Sequence, residues 1–266
     1  MTIVEERKVL EAKFHDRLRD PVLQENPELY ARLTTNYKWY SVARKSREFF
    51  EDYLRAHSKG SKALDFACGD GTCAFTMAEA GAAVVGVDIS EISIENAKRE
   101  ARHRGLEADF QTMDCENLGF PDSTFDLISV SGVLHHMDLN RAFSELARVL
   151  QADGSVICAE PLAHNPIFQA YRKATPMLRT EYEAEHILRR RDILGASRYF
   201  NRVQYHFFHL FDLVAVPFRN TRIFDRLLSA LERIDAAVLE TTPLRWWAWQ
   251  VLFLLSEPKK SEQKPC

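Results

Sequence analysis

Three acidic side chains and a pair of glycines form the most chemically suggestive pattern in the chain. Asp65-Phe66-Ala67-Cys68-Gly69-Asp70-Gly71-Thr72 lies between a short apolar run and an amphipathic stretch. Gly69 and Gly71 therefore fall where a strand turns into a helix and backbone N–H groups can approach a ligand closely. Asp88 closes the next apolar run, 19 residues after Gly69, where a carboxylate can accept from both hydroxyls of a ribose. Asp114 closes the third run. Turn glycines often bind nothing and a single turn acid is usually just solvated, but acids ending three successive parallel strands would line one crevice.

A second group of residues could act on whatever enters that crevice. His135 and His136 follow the fourth apolar run, and an imidazole suits general-base work near neutral pH. The plainer reading is that one caps a turn and the other packs. Glu160, His164 and Asn165 follow the fifth run and could orient a substrate, although Asn165 before Pro166 also reads as a turn start. Tyr37, Trp39 and Tyr40 could cover a cationic ligand with aromatic faces, or pack as core. Arg189-Arg190-Arg191, with Arg172, Lys173 and Arg179, could attract an anion but reads first as a solvated face.

Positioning these groups requires a regular frame. From Lys62 the runs ALDFAC, AVVGVD, ADFQTMD, FDLISVSG and SVICAEP alternate with helical segments, the signature of a parallel sheet covered on both faces. Gly81, Gly105 and Gly154 fall where helices should end. Ahead of the frame, Ile3, Leu10, Phe14 and Leu18 predict one face of a helix ended by Pro21, and a second helix runs to Lys59-Gly60. Residues 222–240 predict a helix, and residues 245–256 a buried last strand. The aromatic residues of 199–218, with Trp246, Trp247 and Trp249, predict core first, then an acceptor pocket or a homodimer contact.

Composition narrows the classes. With 46% hydrophobic and 27% charged residues the chain is an ordinary globular protein, which excludes disordered and collagenous classes. A net charge of −3 makes nucleic acid an unlikely partner by default. The longest apolar stretch, Trp246 to Leu255, is about half of the ~20 residues a membrane-spanning helix needs. No secretion signal is visible, and a cytoplasmic setting is expected. Five widely spaced cysteines with no Cys-x-x-Cys pair and no clustered histidines predict reduced thiols and no metal. A nicotinamide cofactor is disfavoured because Thr72-Cys73-Ala74 follows Gly71 without a third glycine, and no Tyr-x-x-x-Lys pair occurs.

Taken in order and spacing, LDFACGDG, VVGVDIS, Met113-Asp114, FDLISVSGVLHH and ELARVLQADGSVICAEP resemble the class I S-adenosylmethionine-dependent methyltransferases, especially the ubiquinone/menaquinone-methyltransferase-like (type 11) branch, over about residues 60–161. The resemblance implies an α/β, Rossmann-like, doubly wound seven-stranded sheet, mostly parallel with an antiparallel last strand. It assigns Asp65, Ala67, Cys68, Gly69 and Gly71 to the methionine moiety of S-adenosyl-L-methionine, and Asp88 with Ile89 to the ribose. Asp114 would accept from the adenine amino group with Met113 and Cys115 at the ring, and Ser131 would lie near the methionine end. Ala67 departs from the glycine that many members carry.

The expected organisation is a helical extension over 1–60, a methyltransferase domain over 61–256 with a substrate-covering insertion at about 162–198, and a disordered tail over 257–266. The expected reaction gives S-adenosyl-L-homocysteine and methylates a small or medium organic acceptor, first of all at oxygen. Carbon and nitrogen acceptors stay open, as does a non-catalytic cofactor-binding scaffold. An Asn/Asp-Pro-Pro-aromatic motif, typical of planar-amine methylation, is replaced here by SGVLHH.

Overall fold

The computed structural model describes residues 3–19, 28, 35–178, 180, 182 and 186–260. Pro21, Arg179 and tail residues 261–266 lie outside them, as do the side chains of Ile3 and Leu18.

Seven strands form one sheet: β1 (Lys62–Phe66), β2 (Ala83–Asp88), β3 (Ala108–Thr112), β4 (Phe125–Ser131), β5 (Leu150–Pro161), β6 (Phe200–Phe208) and β7 (Gln250–Pro258). Their order is β3-β2-β1-β4-β5-β7-β6, with β7 antiparallel to both neighbours and the other pairs parallel. The chain winds outward from β1 to β3, then crosses back to place β4 on the other side of β1. That reversal opens a crevice beyond the carboxyl ends of β1 and β4.

The apolar alternation within the strands explains the layers. Ala63, Leu127, Ile157 and Leu252 face one cluster, where they meet Phe50 and Leu54 of α2 (Arg44–Ser58), Met77 of α3 (Thr72–Glu79) and Ile94 and Ala97 of α4 (Glu91–Arg104). Leu64, Ile128, Val156 and Phe253 face the opposite cluster with Phe143 and Leu146 of α5 (Leu139–Val149). Because strand neighbours point to opposite faces, a sheet covered on both must carry such unbroken apolar runs. Ser90 and Asp138 start α4 and α5 by accepting from first-turn amides.

A third apolar cluster joins the segments outside the parallel core. Val42, Phe168 of α6 (Pro166–Ala174), Leu213, Leu228 of α7 (Phe224–Thr241) and Trp249 pack together. Buried His209 ties it to α2, bonding Asp212 Oδ2 at 2.6 Å and Ser46 Oγ at 2.8 Å. The Ser46 hydroxyl is also engaged with Gln250 Oε1 at 2.7 Å, so this Ser-His-Asp chain is a brace between elements. Among the aromatics of the C-terminal region, Phe200 and Trp249 are buried, and Tyr205, Phe207 and Trp246 pack on the core.

Three details differ from the sequence expectations. Gly154 lies inside β5 and not at a helix end; a Cβ there would sit 2.9 Å from the Asp126 carbonyl. The start of the expected tail is structured: Pro258 pairs with Phe200, and the Lys260 ammonium caps the end of α5 through Leu150 O at 2.5 Å. The first helix, α1 (Ile3–Arg19), turns Leu10 outward at 62% exposure. Its inward face is polar instead.

Candidate active site

The loop after β1 forms the crevice floor. Ala67, Gly69 and Gly71 all adopt left-handed backbone, with φ of 57°, 51° and 87°. Gly71 is required from below, since a Cβ would stand 2.8 Å from Phe75 Cζ. Ala67 holds a conformation that glycine adopts more easily. Asp65 does not reach the crevice: it lies under the floor, accepting from Ser129 Oγ at 2.7 Å and Ala74 N at 2.9 Å. Burial raises its carboxyl to about 6, against the lowering effect of those two donors. Its place in the strand, with the side chain facing the buried layer, makes it a brace for α3 and not a ligand contact. Cys68 is likewise buried, and burial pushes its thiol well up.

The walls are Ala67, Asp88, Ile89, Asp114, Cys115, Ser131, Gly132, Val133, His136 and Met137. Asp88 ends β2 with its two oxygens accepting from Gly69 N at 2.8 Å and Ser90 N at 2.9 Å. A carboxylate has about four acceptor positions, so these bonds fix its orientation and leave capacity for a diol. Asp114 accepts from Glu116 N at 2.9 Å. Met113 lies behind the wall, bonding Asp88 O through its amide and Gly119 N through sulfur.

One side of α1 closes this part of the crevice with Arg7, Lys8, Glu11 and His15. Lys8 Nζ lies 2.5 Å from Asp114 Oδ2, Arg7 pairs with Glu116, and Asp16 accepts from Ser90 Oγ at 2.5 Å. Glu11 meets His136 Nδ1 at 2.9 Å and accepts from Thr180 Oγ1 at 2.5 Å. Burial opposes ionisation of Glu11, but His136 and Thr180 outweigh it and hold the carboxyl below the usual range. None of these α1 residues was expected at the site; the one-turn spacing of Glu11 and His15 was the available signal, interleaved with the apolar positions Leu10 and Phe14 that define the helix pattern.

The two adjacent histidines serve different cavities. His136 faces the α1-covered part, while His135 lines a neighbouring cavity of about 230 Å³ with Trp39, Tyr40, Phe168, Tyr171 and Trp249. The His135 Nδ1 lies 2.7 Å from Glu160 Oε2, and Glu160 Oε1 accepts from Val133 N and Leu134 N at 2.8 and 2.7 Å. Glu160, 1% exposed, is thus a clamp on the loop after β4, and it lines the same cavity as His135. Two buried polar atoms of its lining residues, Trp39 Nε1 and Tyr171 Oη, have no hydrogen-bond partner among the described residues. Both cavities share Ser131 and Gly132.

Three other expected site residues lie elsewhere. Asn165 caps α6, accepting from Ile167 N and Phe168 N, and donates to Trp247 O. His164 is exposed and accepts from Arg190 N at 3.0 Å. Tyr37 is 60% exposed with its ring against Tyr40, outside the crevice lining. For Asn165 and His164 the local backbone demand for a cap or a turn outweighed the ligand-facing position expected from strand ends. Of the arginines, Arg190 stacks over Trp246, and Arg172 lines the His135 cavity.

Comparison with known proteins places this geometry in a class. Residues 64–158 match the family described as Methyltransferase domain. The demethylmenaquinone methyltransferase of Thermus thermophilus is 38% identical over 100 residues, 36% of this chain and 46% of that one. Aklanonic acid methyltransferase DauC of Streptomyces sp. is 36% identical over 108 residues, 39% of this chain and 49% of that one. The matches thus span about half the length of these relatives. Among solved structures, geranyl diphosphate C-methyltransferase from Streptomyces coelicolor has a TM-score of 0.56 at 16% identity, covering 83% of this chain and 84% of that one. Residues 64–158 thus match a methyltransferase domain, and the sheet has the fold of solved methyltransferases, among them one holding S-adenosyl-L-homocysteine, the demethylated form of S-adenosylmethionine. Within that class the chain's relatives include the ubiquinone and menaquinone methyltransferases.

The residues present fit that cofactor. Asp88 retains acceptor capacity for ribose hydroxyls, Ile89, Val133 and Met137 give apolar walls for a purine, and Ser131 stands where the two cavities meet.

Proposed function

We propose that the chain methylates an oxygen of a small or medium planar organic acceptor held in the His135 cavity. The observation that carries this reading is the His135–Glu160 pair at 2.7 Å beside Ser131, which joins the acceptor cavity to the cofactor crevice. When bound, S-adenosylmethionine supplies an electrophilic methyl group on a sulfonium. Displacement at that carbon needs an aligned, deprotonated nucleophile and little else from the protein. A neutral His135 that donates Nδ1–H to Glu160 carries its basic lone pair on Nε2, so Glu160 both fixes the tautomer and stabilises the imidazolium formed. Trp39, Tyr40, Phe168, Tyr171 and Trp249 give the cavity an aromatic lining suited to a planar acceptor.

The residue assignments carried into this reading are Ala67, Asp88, Ile89, Asp114, Cys115 and Ser131 for the cofactor and His135 for the base. Cys68, Cys73, Cys115 and Cys158 are unpaired, which supports a reducing, cytoplasmic setting. Among the described residues no helix is long and apolar enough to cross a membrane.

The test is transfer of a labelled methyl group to a panel of phenols and aromatic carboxylic acids. His135→Ala should lower kcat by roughly 10²–10⁴-fold while S-adenosylhomocysteine binding is kept. Glu160→Gln should fall between the two. Undiminished turnover in His135→Ala removes the base assignment, and absence of S-adenosylhomocysteine formation with every acceptor favours a binding scaffold.

A further inference from the structure

Glu11, His15 and His136 form a group that neither the methyl transfer nor the packing of the sheet uses. Glu11 and His15 stand one helical turn apart on α1, so both side chains project from the same face. His136 reaches them from the short turn after β4, which brings together residues 125 positions apart in sequence. All three line the α1-covered end of the crevice. Their ligand atoms lie within 4.8 Å of one another; Glu11 Oε2 is 2.9 Å from His136 Nδ1 and 3.7 Å from His15 Nε2. Ligands about 2 Å from a tetrahedral ion stand roughly 3–3.5 Å apart, so the two distances bracket that spacing.

We infer that Glu11, His15 and His136 bind a single divalent transition-metal ion of the zinc class. Two imidazoles and one carboxylate select a borderline ion and disfavour magnesium and calcium, which take all-oxygen shells. Three protein ligands leave a fourth position directed into the crevice, the arrangement of open sites and not of closed structural ones. An outer contact is also present, because Thr180 Oγ1 donates to the second oxygen of Glu11 and would hold the carboxylate in place. The sequence expectation of no metal rested on the absence of local clusters, and this group is assembled only by the approach of α1 to the turn after β4. The ion would join those two elements, so its binding is linked to closure of the crevice by α1. The inference is independent of the acceptor and of the His135 assignment.

The full chain, stripped with a chelator and dialysed, is titrated with Zn²⁺ by calorimetry, with bound metal counted by elemental analysis and Mg²⁺ as the competing ion. The expected result is about one Zn²⁺ per chain, retained in excess Mg²⁺, with affinity at least tenfold weaker in His15→Ala and in Glu11→Gln. His206→Ala, in β6, is the control that should bind as the parent does. Two readouts do not depend on a variant folding: Co²⁺-loaded parent protein should show the visible absorption of a tetrahedral nitrogen–oxygen site, and Zn²⁺ should slow proteolysis within residues 3–19. Substoichiometric binding in the parent, or equal affinity in parent and both ligand variants, overturns the inference.

Discussion

Single side chains carry the account in opposite ways depending on which side of the crevice floor they occupy. Asp88 and Asp65 are both strand carboxylates near the glycine loop, yet Asp88 stands at the rim and Asp65 lies beneath it with no access to a ligand. The difference is one of strand parity and register, which the identities of the residues do not encode. Asp65 has a measurable consequence. Its carboxyl is raised from 3.8 to about 6, by burial first and by Asp88 in part, against the donors Ser129 and Ala74. Between those two pH values the folded chain holds the proton and the unfolded chain does not. Stability from this group is therefore present below the lower value and is lost as pH rises to the higher one, by about 3 kcal/mol. Asp65→Asn cannot titrate, so its stability relative to the parent should improve by about that amount between pH 4 and pH 6.5 and then level off. Urea unfolding across that range checks it; a difference between the two proteins that does not change with pH contradicts it.

At the scale of elements, the loop after β1 shows how packing and ligand approach impose the same residue for different reasons. Gly71 starts α3 with φ of 87°, and its missing side chain makes room for Phe75, Ala97 and Phe110. Gly71→Ala combines left-handed strain of about 1–2 kcal/mol with overpacking of about 1–3 kcal/mol, so a loss of roughly 2–5 kcal/mol is expected in denaturant melts. A loss under about 1 kcal/mol would mean that the loop relaxes freely. Strands β1 to β5 and helices α3 to α5 were legible because every one combines an apolar run or stripe with a cap or breaker, such as Ser90, Asp138 or Gly105. The polar lining that α1 gives the crevice was not, because Leu10 and Phe14, within a turn of Arg7 and Glu11, suggested an apolar inward face. Helices are oriented by what they meet, and α1 meets the acids Asp114 and Glu116, which favour Arg7 and Lys8 over leucine. The capping bonds of Asn165 and Glu160 were not legible for a related reason: both lie at the ligand-facing ends of strands, where the loop's own amides must be satisfied before any ligand is bound.

Across the whole molecule, the winding reversal at β1 and β4 sets where chemistry occurs, and the segments outside the parallel core decide what is admitted. The cofactor side is built by about a hundred residues with strong motifs. The neighbouring cavity draws Trp39 from before the sheet, Phe168 and Tyr171 from α6 and Trp249 from the approach to β7, so no contiguous stretch of sequence could announce it. In the function proposed above, the crevice beyond β1 and β4 holds S-adenosylmethionine through Asp88. Calorimetric titration of the purified chain with S-adenosylhomocysteine, beside Asp88→Asn and Asp88→Ala with their melting temperatures recorded, tests it most directly. One site per chain is expected, weakened at least tenfold in Asp88→Asn, which keeps an oxygen for Gly69 N–H, and further in Asp88→Ala. Equal affinity in the parent and in folded Asp88 variants, or no binding by the parent, would contradict it.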